Sequence, residues 1–354
     1  MEHAAALCVA AQERGESRPG RVALQRLTGI TEREARQVIR ELSAQGIVEP
    51  EQPDFTRETL IPSEAIDIDA LIARRKVEFA RQEAHNDALQ EIVIRVNLDG
   101  PIALAHFGDP HVDDPGSDIG LLQRHMQTCR DTPGMFACNV GDAQNNWGPR
   151  LAHLWALQET KHSEALQLVE WMLSEPDQWL YLVGGNHDAW SGQNDPLQWL
   201  IGQAPPKQDA AIKVGHFRYD GLRVCLLFPN GRRIFINARH DFKGSSQNNP
   251  CHGLANAAKK RSDHIFTCGH RHHSGHQIIK TQTGIVSHLH RVCSYKVIDA
   301  YASKGGFDDE YISPCVTTII DPSKADDDPA CVTSVMDPEM AASILTCLRA
   351  KAAA

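Results

Sequence analysis

The sequence predicts an α/β fold in which a mixed β-sheet is flanked by helices and a small helical module stands at the N-terminal side. Two observations lead there. From residue 91 onward, apolar runs of strand length alternate with helical stretches, the pattern of a sheet covered by helices. Residues 3–48 instead read as short helices.

In that first stretch an Ala-rich segment is followed by Val22-Ala23-Leu24-Gln25-Arg26-Leu27, closed by Gly29. Thr31 and Glu34 have the spacing of a capping box, and Ala35, Val38, Ile39 and Leu42 recur at helical intervals until Gly46. Ile47 and Val48 read as the first strand of a wing. A short helix, a turn at Gly29-Ile30, a longer helix and an Ala-Gln-Gly-Ile-Val-Glu exit resemble the winged helix-turn-helix family. The resemblance implies that the helix opening at Thr31 enters a major groove and offers Arg33, Arg36, Gln37 and Arg40 to DNA. The alternative is a helical module for protein contacts, and charge gives it weight: residues 1–60 hold 8 Arg or Lys against 10 Asp or Glu. Phosphate contacts dominate DNA affinity, so a module without net positive charge starts at a disadvantage.

Pro50, Pro53 and Pro62 mark a linker, and Glu64 to Gln90 has the composition of a connecting helix. Residues 1–50 thus form the module, 51–90 the link, 91–325 the main domain and 326–354 a C-terminal helical tail. In the main domain, 92–96 and 102–107 read as strands joined through Asn97-Leu98-Asp99-Gly100, whose Asp-Gly is a hairpin signal. A helix is expected near 118–130, a strand at 135–140, a helix at 160–174 and a strand at 179–183. Further strands are expected at 216–228, 233–238, 264–268, 285–292 and 315–320, with a final helix after Pro338.

Composition narrows the function. With 354 residues, 42% hydrophobic and 23% charged, the chain suits one large domain plus an accessory piece. A formal charge of −9 argues against coating nucleic acid or an anionic membrane by bulk charge, so an anionic substrate must be attracted locally. The ten cysteines lack any Cys-x-x-Cys pair, which leaves reduced thiols as the simplest reading. No basic leader and no run near the ~20 apolar residues of a membrane span is visible, so a cytoplasmic protein is expected.

Eighteen histidines, most of them after residue 100, direct attention to metal ligands. Five clusters stand just after apolar strands: Asp109-Pro110-His111, Gly141-Asp142, Gly185-Asn186-His187-Asp188, His240, and Gly269-His270-Arg271-His272. Each alone is common, and an isolated His is more often a satisfied core or surface residue. Five in series at strand exits fit two adjacent divalent cations, which need carboxylates, imidazoles, one group touching both ions and a free face for substrate. Asp109 and His111 can turn toward one ion, and the two oxygens of Asp142 can bridge ions ~3.5–4 Å apart. Asn186 adds a neutral oxygen where another carboxylate would cancel positive charge. Two Asp against two divalent ions leave a surplus of about two positive charges, to which phosphate is drawn.

These motifs resemble the calcineurin-like metallophosphoesterase family over roughly residues 101–300. The resemblance implies a double-layered β-sandwich flanked by helices and two divalent metal ions, Mn²⁺ foremost, with Fe, Zn or Mg as alternatives. It assigns Asp109, His111, Asp142 and His272 to one ion, and Asp142, Asn186, His240 and His270 to the other. His187 would act on the substrate phosphate rather than bind metal, stabilising the transition state or protonating the leaving oxygen. The implied reaction is attack on phosphorus by a hydroxide bridging the ions.

In the serine/threonine protein phosphatase branch an Asp and an Arg follow the bridging Asp; here Asn145 and Asn146 occupy those positions, which argues against that activity. Arg150, a few residues beyond Asn146, is a candidate substrate contact, and so are Lys243 and Arg271, which belong to a basic group with Lys259, Lys260, Arg261 and His273. The Gly-His-x-His motif is similar to nuclease, phosphodiesterase and bacterial or phage branches, and Arg239-His240-Asp241-Phe242-Lys243-Gly244 to phage-type enzymes. The expected substrate is therefore DNA, RNA or a nucleotide. The alternatives are a phosphomonoesterase for a small molecule or phosphoprotein, and a DNA- or protein-binding regulator that uses the fold as a scaffold. His288, His290 and Arg291 alternate on a strand and read as supporting or surface residues rather than a third metal site.

Overall fold

The computed structural model describes residues 1–16, 18–46, 67–88, 91–176, 178–190, 196–203, 214–244, 246, 248–298 and 313–353. The chain divides into two compact units, Met1–Val77 and Glu78–Ala354.

In the first unit, α1 (Glu2–Glu13), α2 (Arg21–Thr28) and α3 (Glu32–Ala44) close around Ala4, Cys8, Leu24, Ala35, Val38 and Leu42. Gly29 ends α2 in the left-handed region at φ 68°, a conformation glycine adopts without steric cost. Thr31 caps α3: its hydroxyl accepts from Glu34 N at 3.3 Å, and its own N donates to the Glu34 carboxylate at 2.8 Å. The expected wing at Ile47 and Val48, like Pro50, Pro53 and Pro62 of the linker, lies outside the described residues. Within the stretch read as a connecting helix, α4 spans Ile68–Ala88, and the boundary between the two units falls inside it.

The second unit is built on two six-stranded sheets. The first runs in the order β1 (Ile92–Arg95), β6 (Gly221–Leu227), β7 (Arg233–Arg239), β8 (Ile265–Cys268), β10 (Val286–Arg291) and β9 (Gly275–Lys280). The second is β12 (Val332–Val335), β11 (Cys315–Ile320), β2 (Ile102–Phe107), β3 (Met135–Asn139), β4 (Trp179–Gly184) and β5 (Val214–Tyr219). Helices α5 (Ile119–Asp131), α6 (His162–Ser174), α7 (Asn186–Ala189), α8 (Pro196–Gln203), α9 (His252–Ala258) and the C-terminal α10 (Pro338–Ala353) complete it.

Strand β2 explains the layering. Ile102 and Leu104 face the core shared by the sheets, with Leu180 and Val183 of β4 and Val224 and Ile236 of β6 and β7. Ala103, Ala105 and Phe107 point the other way, among Leu122 and Met126 of α5 and Ala341 and Leu345 of α10. A strand buried on both faces reads as a continuous apolar run. The outer face of the first sheet is covered by α9, where Leu254 and Ala258 join Phe266 and Leu289. No helix among the described residues is long and apolar enough to cross a membrane.

Three expectations are corrected. β1 and β2 do not form a hairpin: β1 pairs with β6, while β2 lies between β3 and β11. The Asp-Gly signal did locate a turn, with Gly100 at φ 79°, but the turn carries the chain from one sheet to the other. Half-exposed β1 tolerates an edge, whereas fully buried β2 needs a partner on each side. The run expected at 216–228 is two strands in different sheets, broken at Asp220, φ 64°. Residues 326–354 are not wholly helical, because Val332–Val335 forms β12 against β11.

The topology determines where the motifs go. β2, β3 and β4 are parallel neighbours, so their C-terminal ends lie together; β7 and β8 are likewise parallel. All five His/Asp clusters follow the ends of these strands.

Candidate metal centre

Asp109 leaves β2 fully buried, and one carboxylate oxygen, Oδ2, accepts from His270 N at 2.6 Å. The other, Oδ1, has no hydrogen-bond partner among the described residues. His272 Nε2 stands 3.4 Å from Oδ2, and His111 Nε2 is 3.3 Å from His272 Nε2. One nitrogen or oxygen from each of Asp109, His111 and His272 lies within 4.8 Å of the others.

A second such group is Asp142, His240 and His270. His240 Nε2 is 3.1 Å from Asp142 Oδ2, 3.0 Å from His270 Nδ1 and 2.9 Å from Asn186 Oδ1, while its Nδ1 faces the Val140 carbonyl at 3.0 Å. That carbonyl can only accept, so Nδ1 carries the proton and Nε2 is turned into the cluster. Asp142 Oδ2 also lies 4.0 Å from His111 Nε2, which sets one carboxylate oxygen between the two groups.

The local backbone is built for this crowding. His111, Asp142, His270 and His272 have φ of 40°, 50°, 70° and 52°, a region that costs non-glycine residues roughly 1–2 kcal/mol each. Gly141 has φ 131°, and a Cβ there would come within 2.1 Å of His240 Nδ1. Only glycine allows the β3 exit to approach that ring.

The electrostatics suit cations. Burial, with the His187 and His272 rings alongside, pushes His111 well below its ordinary pKa, and burial lowers His270 too, so both offer neutral nitrogens. Burial alone would raise the Asp142 carboxyl, but His240, His187 and His111 hold it well below the usual carboxylate range. Burial alone would lower His240; Asp142 and Asp109 outweigh it and raise it to about 10. A partnerless buried carboxylate oxygen and imidazole nitrogens facing one another at 3.0–3.3 Å are the arrangement a bound cation satisfies.

His187, at the start of α7, donates from Nδ1 to the backbone carbonyl of Asn145, and its Nε2 is 4.0 Å from Asp142 Oδ2. Its ring centroid lies 4.1 Å from that of Trp190 and 5.3 Å from that of Trp147. His187 also falls into a possible ligand group with His111 and Asp142, so geometry alone leaves it near the metal ligands as well as the opening. Asn146 Nδ2 donates to the His187 carbonyl at 2.8 Å, and Asn145 Nδ2 donates to Asp114 at 2.8 Å and Gln158 at 3.2 Å.

Of the candidate substrate contacts, Lys243 is exposed, and Arg271 is paired with Asp241 at 3.2 Å. The Arg150 side chain lies outside the described part of the structure.

Two supporting residues were not given roles from sequence. Asp188 is fully buried and ties two loops together, Oδ1 accepting from Ala143 N at 3.1 Å and Oδ2 from Gly185 N at 2.8 Å. Its place beside His187 in the third cluster was the available signal. Asp241 follows His240: burial would raise its carboxyl, but Arg291 and Arg271 hold it low. Arg291, 1% exposed, donates to Gly269 O at 2.7 Å, Pro250 O at 2.9 Å and Asp241 at 2.9 Å, fixing the loop that carries His270.

No protein-family model and no curated protein matches the chain. Among solved structures it is similar to the calcineurin-like phosphoesterase YfkN from Bacillus subtilis, at 12% identity and a TM-score of 0.34, over 67% of this chain and 90% of that one.

Proposed function

We propose that the protein is a dinuclear metal-dependent phosphoesterase acting on nucleic acid or a nucleotide. The observation that carries this reading is Asp142 Oδ2, 3.1 Å from His240 and 4.0 Å from His111, because one carboxylate oxygen between two ligand groups suits a bridge between cations. Asp109, His111, Asp142 and His272 would hold one ion, and Asp142, Asn186, His240 and His270 the other. Two such ions, when bound, supply Lewis acidity toward phosphate oxygens and acidify water for in-line attack on phosphorus.

His187 supplies the proton. Its Nδ1–H stays on the Asn145 carbonyl, which orients the ring, while Nε2 delivers a proton to the leaving oxygen as the phosphorus–oxygen bond breaks. The half-buried Trp147 and Trp190 rings beside it suit stacking of a nucleobase. Exposed Lys243, Lys259, Lys260 and Arg261 suit the flanking phosphates of a polymer. The Asn146 side chain holds the His187 carbonyl and the Asn145 side chain is engaged by Asp114 and Gln158, which fits a substrate other than a phosphoprotein.

The N-terminal module serves as the targeting element. Arg33, Arg36, Gln37 and Arg40 form an exposed stripe on α3 at helical spacing, opposed by internal pairs from Arg36 to Glu32 at 2.5 Å and Gln37 to Glu41 at 2.8 Å.

The test is hydrolysis of bis-p-nitrophenyl phosphate and p-nitrophenyl phosphate with added Mn²⁺, then of single- and double-stranded DNA. Turnover of the diester and of DNA is expected. Turnover of the monoester alone would move the assignment to a phosphomonoesterase, and no hydrolysis by metal-loaded protein would defeat the enzyme reading.

A further inference from the structure

A second group of histidines lies apart from the five strand-exit clusters. His288 and His290 stand on β10 and His276 on the neighbouring edge strand β9, where the antiparallel register sets His276 opposite His290. One nitrogen from each ring lies within 4.8 Å of the others. The ring centroids are 5.1 Å apart for His276 and His290, and 5.8 Å for His276 and His288.

Burial separates this group from ordinary surface histidines. His288 is 3% exposed and His290 is fully buried, so the surface role that the sequence allowed gives way to a buried cluster. Both rings face one hydroxyl: His288 Nδ1 and His290 Nε2 each lie 2.7 Å from Ser334 Oγ on β12 of the other sheet. The remaining nitrogens, His288 Nε2 and His290 Nδ1, are buried with no hydrogen-bond partner among the described residues. Neighbouring His106 provides the contrast. Its ring stacks on His290 at 6.1 Å, yet both its nitrogens are engaged, by Tyr181 Oη at 2.9 Å and Thr318 Oγ1 at 3.0 Å. A buried polar group without a partner is disfavoured, so two in adjacent rings call for an occupant.

The chemistry of the donors identifies that occupant's class. Burial pushes His290 well below its ordinary pKa and His288 down to about 4, so both are neutral near pH 7, the form that binds metal. No carboxylate among the described residues belongs to the group, which disfavours hard, oxygen-seeking Mg²⁺ and Ca²⁺. Imidazole suits Zn²⁺, Co²⁺, Ni²⁺ and Cu²⁺. A Zn–N bond of ~2.0–2.1 Å places tetrahedral ligands ~3.3 Å apart, so nitrogens that lie within 4.8 Å of one another must draw together around the ion, and His276, exposed on an edge strand, is the ring best placed to move.

We propose that His276, His288 and His290 bind one imidazole-preferring divalent transition-metal ion of the Zn²⁺ class. Ser334 is a positioning residue: its oxygen accepts from the far side of two ligand rings and fixes their tautomers. The ion clips edge strand β9 to β10 and, through Ser334, fixes the first sheet to β12 of the second. The fourth coordination position is left to water, reached past His276.

The test is zinc content of the full-length protein after equilibration with Zn²⁺ and gel filtration. His276→Ala changes an exposed ligand on an edge strand and is expected to lose one zinc equivalent per chain relative to wild type, whatever the remaining content. Ser334→Ala is expected to weaken that equivalent roughly 10- to 100-fold. In Co²⁺-loaded protein, the visible bands of a tetrahedral nitrogen site should diminish in His276→Ala. The same zinc content in wild type and His276→Ala, with unchanged cobalt bands, would overturn the proposal. This difference is independent of the proposed phosphoesterase centre, whose failure would appear as lost hydrolysis in protein that still shows the His276-dependent equivalent.

Discussion

The Nδ1–H of His187 is bound by the main-chain carbonyl of Asn145, so the ring is oriented by backbone rather than by a carboxylate. A carbonyl fixes the tautomer without adding negative charge beside the proposed metal centre, and it leaves Nε2 facing the opening near Asp142. His187→Ala is therefore expected to keep both ions and to lower kcat on the diester by ~10²–10⁴-fold, the usual contribution of a positioned general acid. Metal content and initial rates, measured on the same preparation, check both halves. Loss of metal in the variant would make His187 a ligand, and full activity would remove it from the reaction.

Asp142→Asn addresses the bridge. The variant keeps the shape of the side chain but loses its charge, and Asp142 Oδ2 is the oxygen that lies near both His240 and His111. Metal affinity should fall for both sites together and hydrolysis should be lost, while far-ultraviolet circular dichroism stays native. A variant that binds two ions with wild-type affinity would refute the bridging role.

The candidate ligands were legible as a group because each sits in a short polar cluster after an apolar strand, a signal carried by adjacent residues. What the sequence could not reveal depends on contacts between distant strands. β9 alternates with Ile278 exposed and β12 is four residues long, so neither offers a strong apolar run. His276 meets His290 through an antiparallel register, and no spacing along the chain encodes that meeting. The failed hairpin has the same origin: Asp99-Gly100 specifies a turn, whereas the partner of each flanking strand is chosen by burial.

Arg291 tests how far support for the centre extends from its ligands. Its guanidinium is buried against two carbonyls and the Asp241 carboxylate, and Gly269 immediately precedes His270. Arg291→Met leaves those acceptors without their donor, and breaking a buried charged pair costs roughly 3–5 kcal/mol. Urea unfolding should show a loss of that order, and a titration should show weaker metal binding through the displaced loop. A midpoint and affinity equal to wild type would mean that the loop holds its shape without the guanidinium.

The last expectation concerns acid. His106 is held between Tyr181 and Thr318 with its pKa lowered to about 3, and His125 beside Tyr295 with its pKa lowered to about 4; burial is the main cause in both. In the unfolded chain each returns to ~6.5. Below that value the unfolded state takes up protons that the native state refuses, so stability falls as pH falls and is recovered as pH rises. Each group contributes a slope of up to about 1.4 kcal/mol per pH unit between the unfolded and folded values. From pH 6.5 to 5 ordinary carboxylates stay largely ionised, which makes histidine the main source of slope in that interval. Urea midpoints at pH 7.5, 6.5, 5.8 and 5.0 should decline progressively, most steeply below the second point. His106→Gln, which cannot titrate, should flatten the decline even if its absolute stability is lower. An unchanged slope in that variant would show that His106 takes up its proton in the folded protein.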